Sequence, residues 1–244
     1  MNTPEFIGYW SGQLGAGQET VKRLSGGINN NVFVCGRRGI RWVVKGYPSS
    51  SASDCDRMTA EVEFLEYANK VAPGFVPKLI AVDYARRCIV LEHIRGLNYK
   101  EGERVTKEDI RAAIEFLTRL NADRQLARRM IRMNAREGLF LISEHIENVR
   151  SRIADMKVSH LPNKYKRLAS CAMRELEESA DEAFSRIEKL TSCGIIEDRV
   201  NSKVHCVSPS DYGFHNAIRT ERGVVFFDFE FAGWDDPAKT IVDF

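Results

Sequence analysis

Residues 208–218 read S-P-S-D-Y-G-F-H-N-A-I, and residues 224–230 read V-V-F-F-D-F-E. Asp211, Asn216 and Asp228 thus form a carboxylate, an amide five residues on, and a second carboxylate closing an apolar strand twelve residues after the amide. A divalent cation takes hard oxygen ligands, and Asn216 with Asp228 offers them from two neighbouring turns, leaving Asp211 free for an incoming hydroxyl. Each residue alone has a plainer reading: Asp211 caps a turn, Asn216 makes an Asx hydrogen bond, and Asp228 pairs with an arginine. Their joint spacing favours the chemical reading.

Outward from this stretch the pattern of the chain changes twice. Residues 21–45 hold short apolar runs, NVFV and RWVVK, between the turn segments SGGINNN and CGRRG, the pattern of antiparallel hairpin strands. Met58, Val62 and Leu65 then recur at helical spacing, and IAV and CIVLE supply two more strands before Gly96. Beyond Gly96 about 100 residues carry apolar positions three and four apart, in DIRAAIEFLTRLN, LFLISEHIENVRSRIADM and YKRLASCAMRELEESADEAFSRIEKL. Residues 201–233 return to short strands, and Asp236-Pro237 reads as the cap and first turn of a last helix. The expected architecture is α+β. A small antiparallel-sheet lobe with one helix spans residues 1–95, and a mainly helical lobe bearing the 211–228 loops spans residues 96–244. G-Q-L-G-A-G at 12–17 mimics a dinucleotide fingerprint, but no strand precedes it, and it reads as a loop.

Composition narrows the function classes. The 244 residues are 43% hydrophobic and 29% charged, enough for a substantial core and far from the disordered range. A net charge of +2, from 36 basic and 34 acidic residues, does not point to nucleic acid or a membrane surface as partner. No run approaches a membrane span and MNTPEFIGYW lacks a signal-peptide layout, so a cytoplasmic protein is expected. The six cysteines fall singly, without C-x-x-C pairs, and the five histidines make no metal-ligand spacing, so reduced thiols and no structural metal are expected. Residues 119–136 carry six Arg against one Asp; a solvated, salt-bridged face, for which the acidic RELEESADE at 174–182 offers counter-charges, is the reading preferred over a nucleic-acid surface.

The D-x-x-x-x-N loop followed by Asp-Phe after an apolar strand resembles the catalytic machinery of the two-lobe protein-kinase-like fold. Y-G-F-H-N-A-I and the trailing G-W-D-D-P-A-K-x-x-x-D resemble its small-molecule branch, the aminoglycoside phosphotransferase family of antibiotic and metabolite kinases. No A-P-E segment follows Asp228, unlike the protein kinases. The resemblance implies that ATP and Mg2+ are cofactors, that Asp211 is catalytic, and that Asn216 and Asp228 bind the metal. Upstream it implies Lys45, at the end of R-W-V-V-K, reaching the α- and β-phosphates, with Glu61 of E-V-E-F-L orienting it and Glu63 as the competing glutamate. Gly26, Gly27, Asn29 and Asn30 would cover the phosphates, and the backbone of Glu92 and Ile94 would meet adenine. The implied acceptor is a hydroxyl of a small molecule, with neither nucleic acid nor membrane as partner; oligomeric state leaves no trace in the sequence.

The sequence departs from the family in three places. Pro209 stands where a histidine is usual, which motivates a second reading, a nucleotide-binding pseudokinase acting as a scaffold. D-F-E replaces D-F-G, and Glu230 is expected in solvent. Relatives continue for several helices beyond the aspartate matched by Asp243, so a short or cut C-terminal lobe is expected.

Overall fold

The computed structural model describes residues 4–17, 20–24, 31–48, 56–99, 104–156 and 160–242. The chain divides into two compact units, one of Met1–Gly138 with Cys206–Phe244, the other of Leu139–His205.

The first unit begins with α1 (Glu5–Gln13), which was not among the expected helices. Gly8 and Gly12 weaken its helical propensity, and its apolar residues are too few to register as a period. Tertiary packing holds it: Ile7 is fully buried with Phe33, Cys35, Val44 and Val90, and Phe6, Trp10 and Leu14 pack around them. Strands β1 (Lys22–Arg23), β2 (Asn31–Arg37), β3 (Ile40–Gly46), β4 (Leu79–Asp83) and β5 (Cys88–Glu92) form an antiparallel sheet ordered β1-β2-β3-β5-β4. Arg38 and Gly39 join β2 to β3 with φ of 49° and 84°, the two positive values that a tight two-residue hairpin needs to match strand twist. The register sets Lys45 opposite Val32 on one side and Ile89 on the other, so its backbone lies mid-sheet.

Helix α2 (Arg57–Val71) is buried on nearly every side, with Met58, Ala60, Val62, Phe64, Leu65, Tyr67 and Ala68 inside. It touches β4 and β5 of the sheet, and also α3 (Lys107–Leu120) and α4 (Arg124–Met130). A helix enclosed in this way needs every polar group on it partnered, which bears on Glu61 and Glu63 below. Thr106 and Asp109 close a capping box at the start of α3.

Two smaller sheets complete this unit. Strands β6 (Leu97–Asn98), β8 (Ala217–Thr220) and β9 (Gly223–Phe226) pair in the order β6-β8-β9, while β7 (Cys206–Ser208) pairs with β10 (Gly233–Asp235). Gly96 is needed where the chain leaves β5 for β6, because a Cβ there would collide with the Arg219 carbonyl oxygen. Helix α7 (Pro237–Val242) is capped by Asp236, whose Oδ1 accepts from the N–H groups of Ala238 at 2.7 Å and Lys239 at 3.1 Å.

One aromatic cluster ties these parts together. Phe116 stacks on Phe75 (5.6 Å) and Phe226 (5.2 Å), while Phe64 packs on Phe229 at 4.5 Å and Tyr212 on Phe226 at 4.9 Å. Tyr212 and Phe229 directly follow Asp211 and Asp228, so the anchors of both loops share one core.

In the second unit α5 (Ile142–Asp155) and α6 (Asn163–Ser192) pack on each other, with Arg150 Nη2 3.3 Å from Glu188 and its guanidinium 4.9 Å over Phe184. No helix among the described residues is long and apolar enough to cross a membrane.

Candidate active site

Lys45, the next-to-last residue of β3, lies at the centre of the site. Its Nζ donates to Glu61 Oε2 at 2.6 Å and also to Asp228 Oδ1. Residues 45, 61 and 228 therefore converge from β3, α2 and the segment after β9. Burial alone would pull the ammonium below its usual range, but the charges of Glu61 and Asp228 outweigh it and hold the pKa above that range. Lys45 is a fixed cation. Glu61 shows the reverse balance: burial raises its carboxyl above the ordinary value, Lys45 opposes that, and Asp228 adds to it. Tyr47 supplies a second donor, its hydroxyl 2.7 Å from the same Glu61 oxygen, and burial beside that carboxylate pushes the phenol far above its usual range.

The competition between two glutamates is resolved by partners. Glu61 faces Lys45, whereas Glu63 Oε1 takes Arg132 Nη2 at 2.6 Å and its other oxygen accepts the Arg132 backbone N–H at 2.9 Å.

Asp228 and Asn216 stand at the open ends of one hairpin. Ala217 pairs with Phe226 in the β8–β9 register, and Phe227 N–H donates to the Asn216 carbonyl at 3.0 Å, so the two residues that follow and precede the strands stay in step. Asp228 has φ of +69°, an uncommon left-handed conformation outside glycine, and Ser210, just before Asp211, has φ of +67°. One strained residue is itself an acidic position the sequence singled out, and the other directly precedes one.

The Asn216 amide nitrogen donates to the Asp211 carbonyl and to Asp211 Oδ2, both at 3.1 Å, which directs its Oδ1 elsewhere. Among the described residues no group of three or more His, Cys, Asp or Glu converges on a metal position. The oxygen donors here are Asn216 Oδ1 and the 40%-exposed Asp228 carboxylate, a set that fits Mg2+ sharing its remaining positions with phosphate and water oxygens.

The loop before Asp211 is held without the usual histidine. Asn121 clamps β7 by accepting from Val207 N–H at 2.8 Å and donating to Val207 O at 3.1 Å, and Ser208 Oγ accepts from Ser210 N–H at 3.0 Å across Pro209. Below it, Asp109 accepts from Tyr99 OH (2.8 Å) and Arg219 Nη2 (2.7 Å), and Arg219 lies on β8 three residues after Asn216. Although burial opposes it, these donors together with Thr106 hold the Asp109 carboxyl well below the usual carboxylate range.

At the strand-to-linker position, Glu92 N–H is taken by the Lys78 carbonyl at 2.9 Å, while Ile94 has no backbone partner among the described residues. Gly26, Gly27, Asn29 and Asn30, like Asp243, lie outside the described residues. Glu230 departs from expectation. It is 3% exposed rather than in solvent, with Arg57 Nη1 at 3.9 Å, because Phe229 before it is drawn into the aromatic core. Of the six arginines of 119–136, four have these partners at close quarters: Arg119 with Glu115, Arg132 with Glu63, and Arg128 and Arg136 over the rings of Trp234 and Phe231.

The model of the phosphotransferase enzyme family matches residues 20–239, which takes in Lys45, Glu61, Asp211, Asn216 and Asp228. The chain belongs to this family. Among solved structures it resembles the macrolide 2′-phosphotransferase of Brachybacterium faecium (TM-score 0.62, 14% identity, covering 97% of this chain and 75% of that one). It likewise resembles a spectinomycin phosphotransferase in complex with ADP and spectinomycin (0.60, 14%, 97% and 71%). The choline kinase of Cryptosporidium parvum Iowa II is similar (0.60, 13%, 98% and 68%). No curated protein matches by sequence. The kinase-like α+β fold expected from the sequence is therefore the fold of this phosphotransferase, and its class is that of a small-molecule kinase.

Three contributors were not read from the sequence. Tyr47 looked like an ordinary aromatic after a strand, Asn121 an ordinary helix end, and His215 one histidine among five. Only His215 left a signal, its i,i+4 spacing from Asp211.

Proposed function

We propose that the protein transfers the γ-phosphoryl group of ATP, with Mg2+, to a hydroxyl of a small molecule in the cytoplasm. The observation that carries this reading is Lys45 bonded at once to Glu61 and Asp228. A fixed ammonium beside a carboxylate with free oxygen suits a triphosphate and its cation, and phosphoryl transfer asks the protein for positioning and charge neutralisation more than covalent chemistry.

In this reading residues 1–95 form the nucleotide-binding lobe and residues 96–244 bring the acceptor side. Lys45, oriented by Glu61, binds the α- and β-phosphates, and Gly26, Gly27, Asn29 and Asn30 cover them. The Glu92 carbonyl and Ile94 N–H meet the adenine edge. Asn216 and Asp228 would hold Mg2+, which when bound neutralises phosphate charge. Asp211 accepts the hydroxyl proton as the oxygen attacks phosphorus. The partner is a small molecule, not a nucleic acid or a membrane. ADP and AMP-PNP in solved relatives, one with Ca2+, support a nucleotide site of this kind.

The test is twofold. Mg-ATP should raise the melting temperature, and ADP should form when aminoglycosides, macrolides, choline or ethanolamine are added. Stabilisation by Mg-ATP with no ADP from any acceptor would favour the scaffold reading, and indifference to Mg-ATP would reject both.

A further inference from the structure

We propose that His215 is a positioning residue that, together with Asn216, fixes the plane of the Asp211 carboxylate for the incoming hydroxyl. The inference rests on the role assigned to Asp211 above. His215 Nε2 lies 3.0 Å from Asp211 Oδ1, and the Asn216 amide nitrogen lies 3.1 Å from Oδ2. An ionised carboxylate only accepts, so the imidazole hydrogen in this contact resides on Nε2. Each carboxylate oxygen thus spends one lone pair on a donor from the same short turn, Phe214–Asn216, and keeps others for the substrate. With one donor the carboxylate turns about its last single bond; with two, one on each oxygen, that rotation is stopped.

The backbone around the histidine is shaped to seat the ring. Gly213 is extended (φ −173°), a conformation open to any residue, yet a Cβ there would lie 2.8 Å from His215 Cε1 and Nδ1. The missing side chain therefore makes room for the imidazole and not for the backbone. Phe214, between them, packs its ring on Tyr99 at 4.9 Å, which fixes the turn from its other side. The contact itself is open to solvent, with the His215 and Asp211 side chains 63% and 56% exposed, so a small molecule can reach it.

Three variants of the full chain separate positioning from bulk. His215→Leu removes the donor, His215→Gln keeps an N–H at the reach of Nε2, and Gly213→Ala keeps the imidazole but displaces it. They are assayed with Mg-ATP and whichever acceptor of the panel above turns over, or with water as acceptor where none does. His215→Leu and Gly213→Ala should each lower kcat about tenfold while KM for ATP stays within about twofold, the signature of a lost transition-state arrangement. His215→Gln should return to within about threefold of the parent, and added imidazole should restore part of the His215→Leu loss. Parental kcat in His215→Leu, equal losses in the Leu and Gln variants, or a raised KM for ATP at constant kcat would overturn the assignment. A second readout needs no turnover: the carboxyl carbon resonance of Asp211 should move in His215→Leu and Gly213→Ala and stay in a control at another histidine, His160→Leu. If that resonance moves while neither acceptor nor water is phosphorylated, the positioning contact stands and the phosphotransferase reading fails. A resonance indifferent to His215 overturns the proposal whatever the turnover.

Discussion

The two sides of the site are held by opposite means. On one, Lys45, Glu61 and Tyr47 are all 7% exposed or less, and formal charges carry the geometry. On the other, Asp211 and His215 are more than half exposed, and single hydrogen bonds within one turn carry it, backed by aromatic rings under the adjacent residues. A buried charge pair is rigid because separating it strands an ion away from water; an exposed carboxylate is set only by its local donors and by the anchored chain on either side. Under the proposed function, the first arrangement suits a binding partner that is always the same, a triphosphate. The second leaves the acceptor side open.

The largest effect expected from this contrast is on stability. Glu61→Ala leaves Lys45 buried with half its compensation and should cost about 3 kcal/mol, the lower end for breaking a buried pair, read from denaturant unfolding. A loss below about 0.5 kcal/mol, the level of a surface substitution, would erase the distinction between the two sides. Asp211→Asn should do the reverse. Its melting temperature and nucleotide affinity stay near the parent, while turnover falls by about 10², the scale of a lost general base. Parental turnover in this variant would remove Asp211 from the chemistry.

A third expectation concerns what lies under the exposed side. Asp109 carries Arg219, Tyr99 and the capped end of α3, and its carboxyl is held below the ordinary range. A group with a depressed folded pKa contributes stability that is present above its unfolded value near 4 and lost as pH falls through the folded one. The parent should therefore lose stability as pH drops below about 4 more steeply than Asp109→Asn, which at neutral pH should already be weaker by about 2 kcal/mol for its charge-assisted bonds. Melting curves taken from neutral to acid pH measure both, and parallel curves would show that Asp109 does not anchor β8.

The buried side was far more legible in the sequence than the supports beneath either side. R-W-V-V-K names its strand by composition, while the lysine's role and the preference for Glu61 over Glu63 two residues away come from the resemblance to the family's E-x-x-x-L pattern. Asp211, Asn216 and Asp228 are local enough for spacing to reveal. The aromatic cluster is not, because Phe64, Phe116, Tyr212 and Phe229 meet across as much as 165 residues and each alone looks like generic core. For the same reason the exposure assigned to Glu230 failed: the residue before it, not its own charge, decides where it goes. Helix α1 escaped because tertiary contacts and not propensity make it, and Asn121 because a side chain serving a strand 86 residues away has no local mark.

The smallest effect is the sharpest test of how the buried side works. Tyr47 and Lys45 donate to one oxygen of Glu61, and the Lys45 Nζ also lies 5.4 Å over the Tyr47 ring. Tyr47→Phe removes one hydroxyl, keeps the ring, and leaves Glu61 with the ammonium alone, so about 1–2 kcal/mol of stability should be lost, the value of a hydrogen bond to a charged group. Because the hydroxyl restrains the carboxylate that orients Lys45, KM for ATP should rise by a few fold, with kcat following only if the lysine moves with its partner. If stability falls and KM for ATP does not, Tyr47 serves the fold alone, and the ammonium is oriented by Glu61 and Asp228 without help. If both change together, the buried side is a three-membered unit in which a neutral hydroxyl positions a charge.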